Sequence, residues 1–157
     1  MRSGANFAII DPMPLSFDMP LDQLHLYQGR NPRPDNFDAY WRAALAEMRA
    51  VDPQIELRRA NFQAPFADCF DMYFTGVGGA RLYAKLLRPK NAPAPHPAVV
   101  MFHGYTMNSG DWTDKLPYVA AGMTVAALDC RGQAGHSVDI GGVTGNTLNG
   151  HIIRGLT

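Results

Sequence analysis

Three short stretches of the chain carry residue types that could do chemistry. The first is His103-Gly104-Tyr105. Acyl transfer needs a hydrogen-bond donor fixed about 3 Å from the carbonyl oxygen that becomes negative. The backbone N–H of Tyr105 is the candidate donor, with its ring lining the pocket. Gly104 is expected to let the backbone turn sharply and approach a substrate. His103 is read as a support for this loop and not as a base, because the catalytic histidine follows the serine in folds that carry their nucleophile on a strand-to-helix elbow. The second stretch is Asp129-Cys130-Arg131-Gly132-Gln133. Arg131 could anchor the site loops through a bidentate contact to a carboxylate, with a partner expected outside this chain; a structural salt bridge weighs at least as heavily as substrate contact. The third, Gly135-His136-Ser137-Val138-Asp139, imitates the nucleophile elbow G-x-S-x-G. It ends on Asp, follows loop, and precedes no helical pattern, whereas the elbow needs a strand-to-helix turn. Ser3, Ser16 and Ser109 have no such setting either, so no catalytic nucleophile is expected.

The remaining candidates do not cluster. His25, His96, His136 and His151 are scattered, and no spacing suits a metal. There is no P-loop and no dinucleotide fingerprint, so no cofactor is expected. The two cysteines, Cys69 and Cys130, exclude a disulfide framework and read as buried reduced thiols.

The elements that must position these residues follow from periodicity. Residues 1–36 hold Pro12, Pro14, Pro20, Pro32 and Pro34 and read as an arm with at most one helical turn near Leu21 to Tyr27. The domain proper is expected over residues 37–157. A helix is predicted from Phe37 to Ala50, capped by Asp35 or Asn36 and stopped by Pro53. Its stripe of Phe37, Tyr40, Trp41, Ala44, Leu45 and Met48 reads as core packing. Strands are predicted at Ile55 to Phe62 and Cys69 to Thr75. The latter turns at Gly76, Gly78 and Gly79 into a returning strand from Ala80 to Leu87, a hairpin. After the proline-rich stretch Pro89 to Pro97, the run AVVMF at Ala98 to Phe102 suggests a strand buried on both faces. A helix then ends at Gly122, and Met123 to Leu128 forms a second buried strand, parallel to the first. An antiparallel hairpin leading into a parallel α/β sheet is the opening of an α/β-hydrolase fold. Beyond Cys130 the chain is glycine-rich and loop-like, with a weak helical start near Gly150. Both chemical stretches follow strands of the parallel pair, where open α/β sheets carry their sites.

Composition narrows the classes further. The chain has 157 residues with 46% apolar and 18% charged side chains, as in a globular domain. Fourteen basic residues balance fourteen acidic ones, which gives no electrostatic case for nucleic acid or an anionic membrane surface. No apolar run is long enough to span a bilayer, and the N-terminus is too weak for a secretory signal. A cytoplasmic location is the default expectation.

Several of these blocks resemble one family. Phe17-Asp18-Met19-Pro20-Leu21-Asp22-Gln23-Leu24, Asn36-Phe37-Asp38-Ala39-Tyr40-Trp41, His103-Gly104-Tyr105, Asp129 to Gln133 and Gly150-His151-Ile152-Ile153-Arg154-Gly155 are similar to the acetyl xylan esterase and cephalosporin-C deacetylase family, carbohydrate esterase family 7. The resemblance runs from about Leu15 to Leu156. It implies an α/β hydrolase that deacetylates short acetylated sugars and cephalosporin C by serine acyl transfer, without a cofactor. It matches Tyr105 to the family's oxyanion-hole and substrate-contacting tyrosine, and Arg131, Gly132 and Gln133 to its Arg-Gly-Gln motif. It also implies a homo-oligomer, commonly a hexamer. The family's Gly-x-Ser-Gln-Gly elbow, triad Asp and His-Glu motif come after the position of Gly155. This chain is therefore expected to stop before the nucleophile, to be inactive alone, and to need a C-terminal half to complete its site. A bare sheet edge and an exposed apolar patch are expected to follow, with poor stability, aggregation or pairing through that edge. The alternatives are a non-catalytic interaction fragment using the open edge and the arm, or another α/β hydrolase such as a peptidase or lactone hydrolase.

Overall fold

A computed structural model of the chain describes residues 19–140. The expected elbow-free tail with its helical start near Gly150, and Ser3, Ser16 and His151, lie outside the described residues. The chain divides between Phe37 and Asp38 into two compact units. In the first, a single helical turn, α1 (Leu21–Leu24), is closed by the N–H groups of Gln23 and Leu24 donating to the carbonyl of Pro20. Arg33 lies over the ring of Phe37 at 4.6 Å.

Helix α2 (Phe37–Ala50) has the predicted bounds. Its stripe does not form core among the described residues. No residue of the helix is buried, and Tyr40, Trp41 and Met48 are 64%, 49% and 50% exposed. The helix does present one apolar face, but that face is largely exposed among the described residues and is not core.

The second unit is built on a mixed sheet of β1 (Glu56–Arg59), β2 (Ala67–Thr75), β3 (Arg81–Pro89), β4 (Ala98–Phe102) and β5 (Thr124–Asp129). Their spatial order is β1-β2-β3-β5-β4. The predicted hairpin pairs Phe70 with Leu86, Met72 with Ala84 and Phe74 with Leu82. It turns through Gly78 and Gly79 at φ 72° and 78°, a backbone region that suits glycine. Strand β5 then lies antiparallel to β3 and parallel to β4. A short 3₁₀ turn (Thr113–Lys115) and helix α3 (Leu116–Ala120) link β4 to β5, and Gly122 ends the helix at φ 87°.

Because side chains alternate across a strand, the two sheet faces differ. One face sets Cys69 against Leu87 and Leu87 against Val125, and these pack with Val119 of α3, with Met101, Trp112 and Leu116 at the margin. Farther along the same face the pairs become Asp71 with Lys85, then Tyr73 with Tyr83 and Tyr83 with Asp129. The face thus grades from hydrocarbon to charge towards the carboxyl end of the parallel pair.

The other face departs from expectation at β4. Val99 and Met101 are half-buried, but Val100 and Phe102 are 62% and 69% exposed. Among the described residues the strand pairs on one side and is covered on one face, so a continuous apolar run here does not mean burial on both faces.

This contrast is measurable. Leu87→Ala empties a fully buried position and is expected to cost about 2–5 kcal/mol in chemical denaturation. Phe102→Ser, on the open face, is expected to change stability by less than about 1 kcal/mol. Equal losses would show that the open face is covered in solution.

Candidate functional site

The two chemical stretches lie on adjacent loops at the carboxyl ends of β4 and β5. Three hydrogen bonds tie the loops together at every third residue of the first. The N–H of Cys130 donates to Nε2 of His103 at 2.8 Å. The N–H of Thr106 donates to Oε1 of Gln133 at 2.7 Å. The N–H of Ser109 donates to Oδ1 of Asp129 at 2.6 Å. Tyr105 sits between the first two ties and is 56% exposed.

These ties give the predicted residues distinct places. His103 accepts a hydrogen bond at Nε2, so its own proton sits on Nδ1, which donates to the carbonyl of Gly104 at 2.7 Å. Both ring nitrogens are used in holding the loop, in keeping with a supporting role. Gln133 holds the turn that follows Tyr105. Gly132 takes φ 71°, as a tight turn between Arg131 and Gln133 requires. Gly104 does not take a left-handed backbone; within this loop that conformation falls on Thr106, at φ 64°. The Thr106 N–H bond to Gln133 is the compensation for this uncommon geometry.

Arg131 corrects one expectation. Its partner is in this chain: Nε and Nη2 lie 2.7 and 2.6 Å from Oδ1 of the fully buried Asp139, and Nη1 donates to the carbonyl of Val77 at 3.1 Å. The guanidinium therefore pins the end of the second loop to the hairpin turn. The carboxylate lies only eight residues away, within reach because Gly132 and Gly135, both at positive φ, let the chain fold back.

Ser137 is also placed. It is 1% exposed, its Oγ donates to the carbonyl of Asp129 at 2.5 Å and accepts from the N–H of Tyr83 at 2.9 Å. It extends the β3–β5 pairing with a side chain and lies on no strand-to-helix turn. Among the described residues, no group of three or more His, Cys, Asp or Glu could hold a metal ion.

Asp129 is the residue sequence reasoning undervalued. Its side chain is buried and accepts from the N–H groups of Ser109 and His136, at 2.6 and 2.8 Å, one on each loop. Ser109 is held in turn by Lys85, which donates to its Oγ at 2.8 Å, and by buried Lys115, which donates to the carbonyls of Ser109 and of Asp111. Burial lowers the pKa of Lys85 below the usual lysine range, and Asp129 opposes that shift. Burial, then a hydrogen bond to Asp71, raises the Tyr83 hydroxyl well above the usual tyrosine value. Cys130 is free, and burial raises its thiol above the ordinary range; Cys69 is buried and shifted the same way. A cavity of about 230 Å³ beside the clamp is lined by Met101, His103, Asn108, Ser109 and Lys115 among others. The signal for Lys85 was available: a lone cation on the inward row Tyr83, Lys85, Leu87.

Gly135 shows how tightly this centre is built. It has φ 120°, and a Cβ there would fall on the Asp129 carboxylate. Gly135→Ala is expected to cost about 1–3 kcal/mol through strain and displacement of the carboxylate. Gly122→Ala, also at positive φ but facing open space, supplies the backbone-only control at about 1–2 kcal/mol. Thermal and denaturant unfolding of both variants would compare the two; a smaller loss at 135 than at 122 would mean that the loop shifts freely.

The chain is similar to known proteins over most of its length. The sequence profile of the acetyl xylan esterase family matches residues 13–157. The crystal structure of acetyl xylan esterase 1 from Thermoanaerobacterium sp. JW/SL YS485 superposes with a TM-score of 0.80 at 64% identity, covering 89% of this chain and 44% of that one. The acetyl xylan esterase from Paenibacillus sp. R4 superposes with a TM-score of 0.69 at 27% identity, covering 77% of this chain and 39% of that one. The chain thus spans less than half the length of either relative, and its five-stranded mixed sheet is part of an α/β-hydrolase fold. With the profile matched over most of its length and the fold shared with a 64% identical relative, the chain belongs to the acetyl xylan esterase family.

Proposed function

We propose that these residues supply the oxyanion loop and its support in a carbohydrate acetyl esterase that deacetylates acetylated xylo-oligosaccharides, or cephalosporin C, by serine acyl transfer. The observation that carries the reading is the triple tie of the His103–Ser109 loop to the Asp129–Gln133 loop. An oxyanion donor works only if it is held still before charge develops, since reorganising it during reaction would consume the gain. Tyr105 lies between two of the ties, so its N–H is the donor and its exposed ring is the substrate contact. His103, Arg131, Gly132 and Gln133 support that donor. No step is assigned to a metal or cofactor.

The nucleophile is not among the described serines. Ser137 is enclosed and has both hydrogen-bonding roles filled, and Ser109 Oγ faces Lys85 inside the clamp. The 157 residues alone are therefore expected to leave p-nitrophenyl acetate unhydrolysed and to take no label from a serine-reactive phosphonate. Joined to the carboxyl-terminal part of the Thermoanaerobacterium enzyme, the chain is expected to hydrolyse acetyl esters. In that hybrid, Tyr105→Pro, which deletes the N–H, should lower kcat about 10²–10³-fold, whereas Tyr105→Ala, which keeps it, should act chiefly on KM. Saturable turnover and labelling of Ser137 in the chain alone would overturn this assignment, as would a hybrid indifferent to the proline.

A second reading rests on the β4 edge. Val100 and Phe102 are exposed side chains of β4, which among the described residues is paired on one side, and unpaired edges template association. If association is the function, sedimentation should show a dimer that Val100→Lys dissolves, while a monomer at all concentrations removes the reading.

A further inference from the structure

Ser109 uses its N–H, its hydroxyl and its carbonyl in hydrogen bonds. Its N–H donates to Asp129 Oδ1, its Oγ accepts from Lys85 Nζ at 2.8 Å, and its carbonyl accepts from Lys115 Nζ. The three partners come from three elements: β5, β3 and the 3₁₀ turn before α3. The first belongs to the parallel part of the sheet, and the third to the connection between its strands. Lys85 belongs to neither; it comes from the hairpin.

The ammonium of Lys85 is itself held from several sides. It lies 5.4 Å from the ring centre of Tyr83 and 5.6 Å from that of Trp112, within cation–π range of both. Asp71 stands opposite it on β2, and Asp129 acts on it electrostatically. A flexible four-carbon stem thus ends at a defined point, and that point is the hydroxyl of Ser109. Ser109 in turn follows the segment that contains Tyr105 and Thr106.

We propose that Lys85 is a positioning residue for the oxyanion loop, acting through Ser109 to fix the far end of the His103–Ser109 segment against the hairpin. The role of the loop rests on the esterase reading above; the mechanical coupling does not. Lys85 touches no reacting atom in this scheme. It acts by narrowing the conformations of a loop whose other ties, at His103 and Thr106, are to a neighbouring loop and not to the sheet's hairpin.

The coupling is tested on the 157-residue chain by amide hydrogen exchange. Lys85→Met keeps the stem and its packing but removes the donor, and is expected to speed exchange at Ser109 and Thr106 about 10-fold or more, the range for losing a hydrogen bond to a charged group. Exchange at Leu87 and Val125, in the sheet core, should stay unchanged. Ser109→Ala removes only the Oγ acceptor; combined with Lys85→Met it should add little, because both changes break one interaction. Lys85→Arg, which restores a cationic donor, should recover part of the protection. Unchanged exchange at Ser109, or equal acceleration throughout the sheet, or full additivity of the two variants would each overturn the proposal. In the esterase hybrid, Lys85→Met should lower kcat with little change in KM. A hybrid with no activity would count against the esterase reading and leave the exchange result to decide the coupling; an active hybrid whose kcat is unmoved by Lys85→Met would overturn the positioning role.

Discussion

A buried carboxylate at the end of β5 sets the terms for everything around it. Asp129 has left water, and a carboxylate in that position must be met by donors and by positive charge or it destabilises the fold. The chain meets it with two backbone N–H groups from two different loops, Ser109 and His136, and with the charge of Lys85, which interacts with it electrostatically. Satisfying one side chain therefore fixes two loops. Gly135 must be glycine because the carboxylate occupies the space a side chain would need. Ser137 must be small and hydroxylic because it bridges the Asp129 carbonyl to Tyr83. Each residue of the Gly-His-Ser segment thus has a place in the packing and hydrogen bonding around Asp129.

The sheet makes this arrangement affordable by dividing its face. Cys69, Leu87, Val125 and Val119 provide the hydrocarbon end, where burial is favourable at roughly 25 cal/mol per Å². Asp71, Lys85, Tyr83 and Asp129 occupy the other end, where each polar group has a partner. Strand register decides which end is which: a slip of one residue between β3 and β5 would turn Lys85 to the opposite face and separate it from Ser109.

Much of this was legible in the sequence, because most of it is periodic. The bounds of α2, the hairpin through Gly78 and Gly79, and the parallel pair after the proline-rich stretch follow from alternation, helical spacing and turn residues. His103 and Gln133 were found from their motifs and do sit at the loop ties. What could not be read was the partner of each group. Arg131 meets Asp139 by a local fold-back, and Lys85 reaches Ser109 across a change of strand, neither of which has a sequence period. Burial was misjudged where it depends on covering elements: the stripe of α2 and the outward side chains of β4 are apolar by composition yet exposed among the described residues. Apolar pattern specifies a face, while burial requires a second body against it.

The spatial order β1-β2-β3-β5-β4 has a consequence for how the chain is made. On a ribosome, β4 emerges before β5, yet its only described neighbour in the sheet is β5. The segment Ala98 to Phe102 must therefore wait, unpaired and apolar, until α3 and β5 have been synthesised. Only then can β5 dock on β3 and offer β4 an edge to join. The interval is a window in which a nascent chain carries an unclaimed hydrophobic strand, the kind of segment that chaperones hold and that crowded ribosomes allow to mispair. The rate at which translation passes through the residues between Phe102 and Asp129 thus bears directly on the yield of folded sheet.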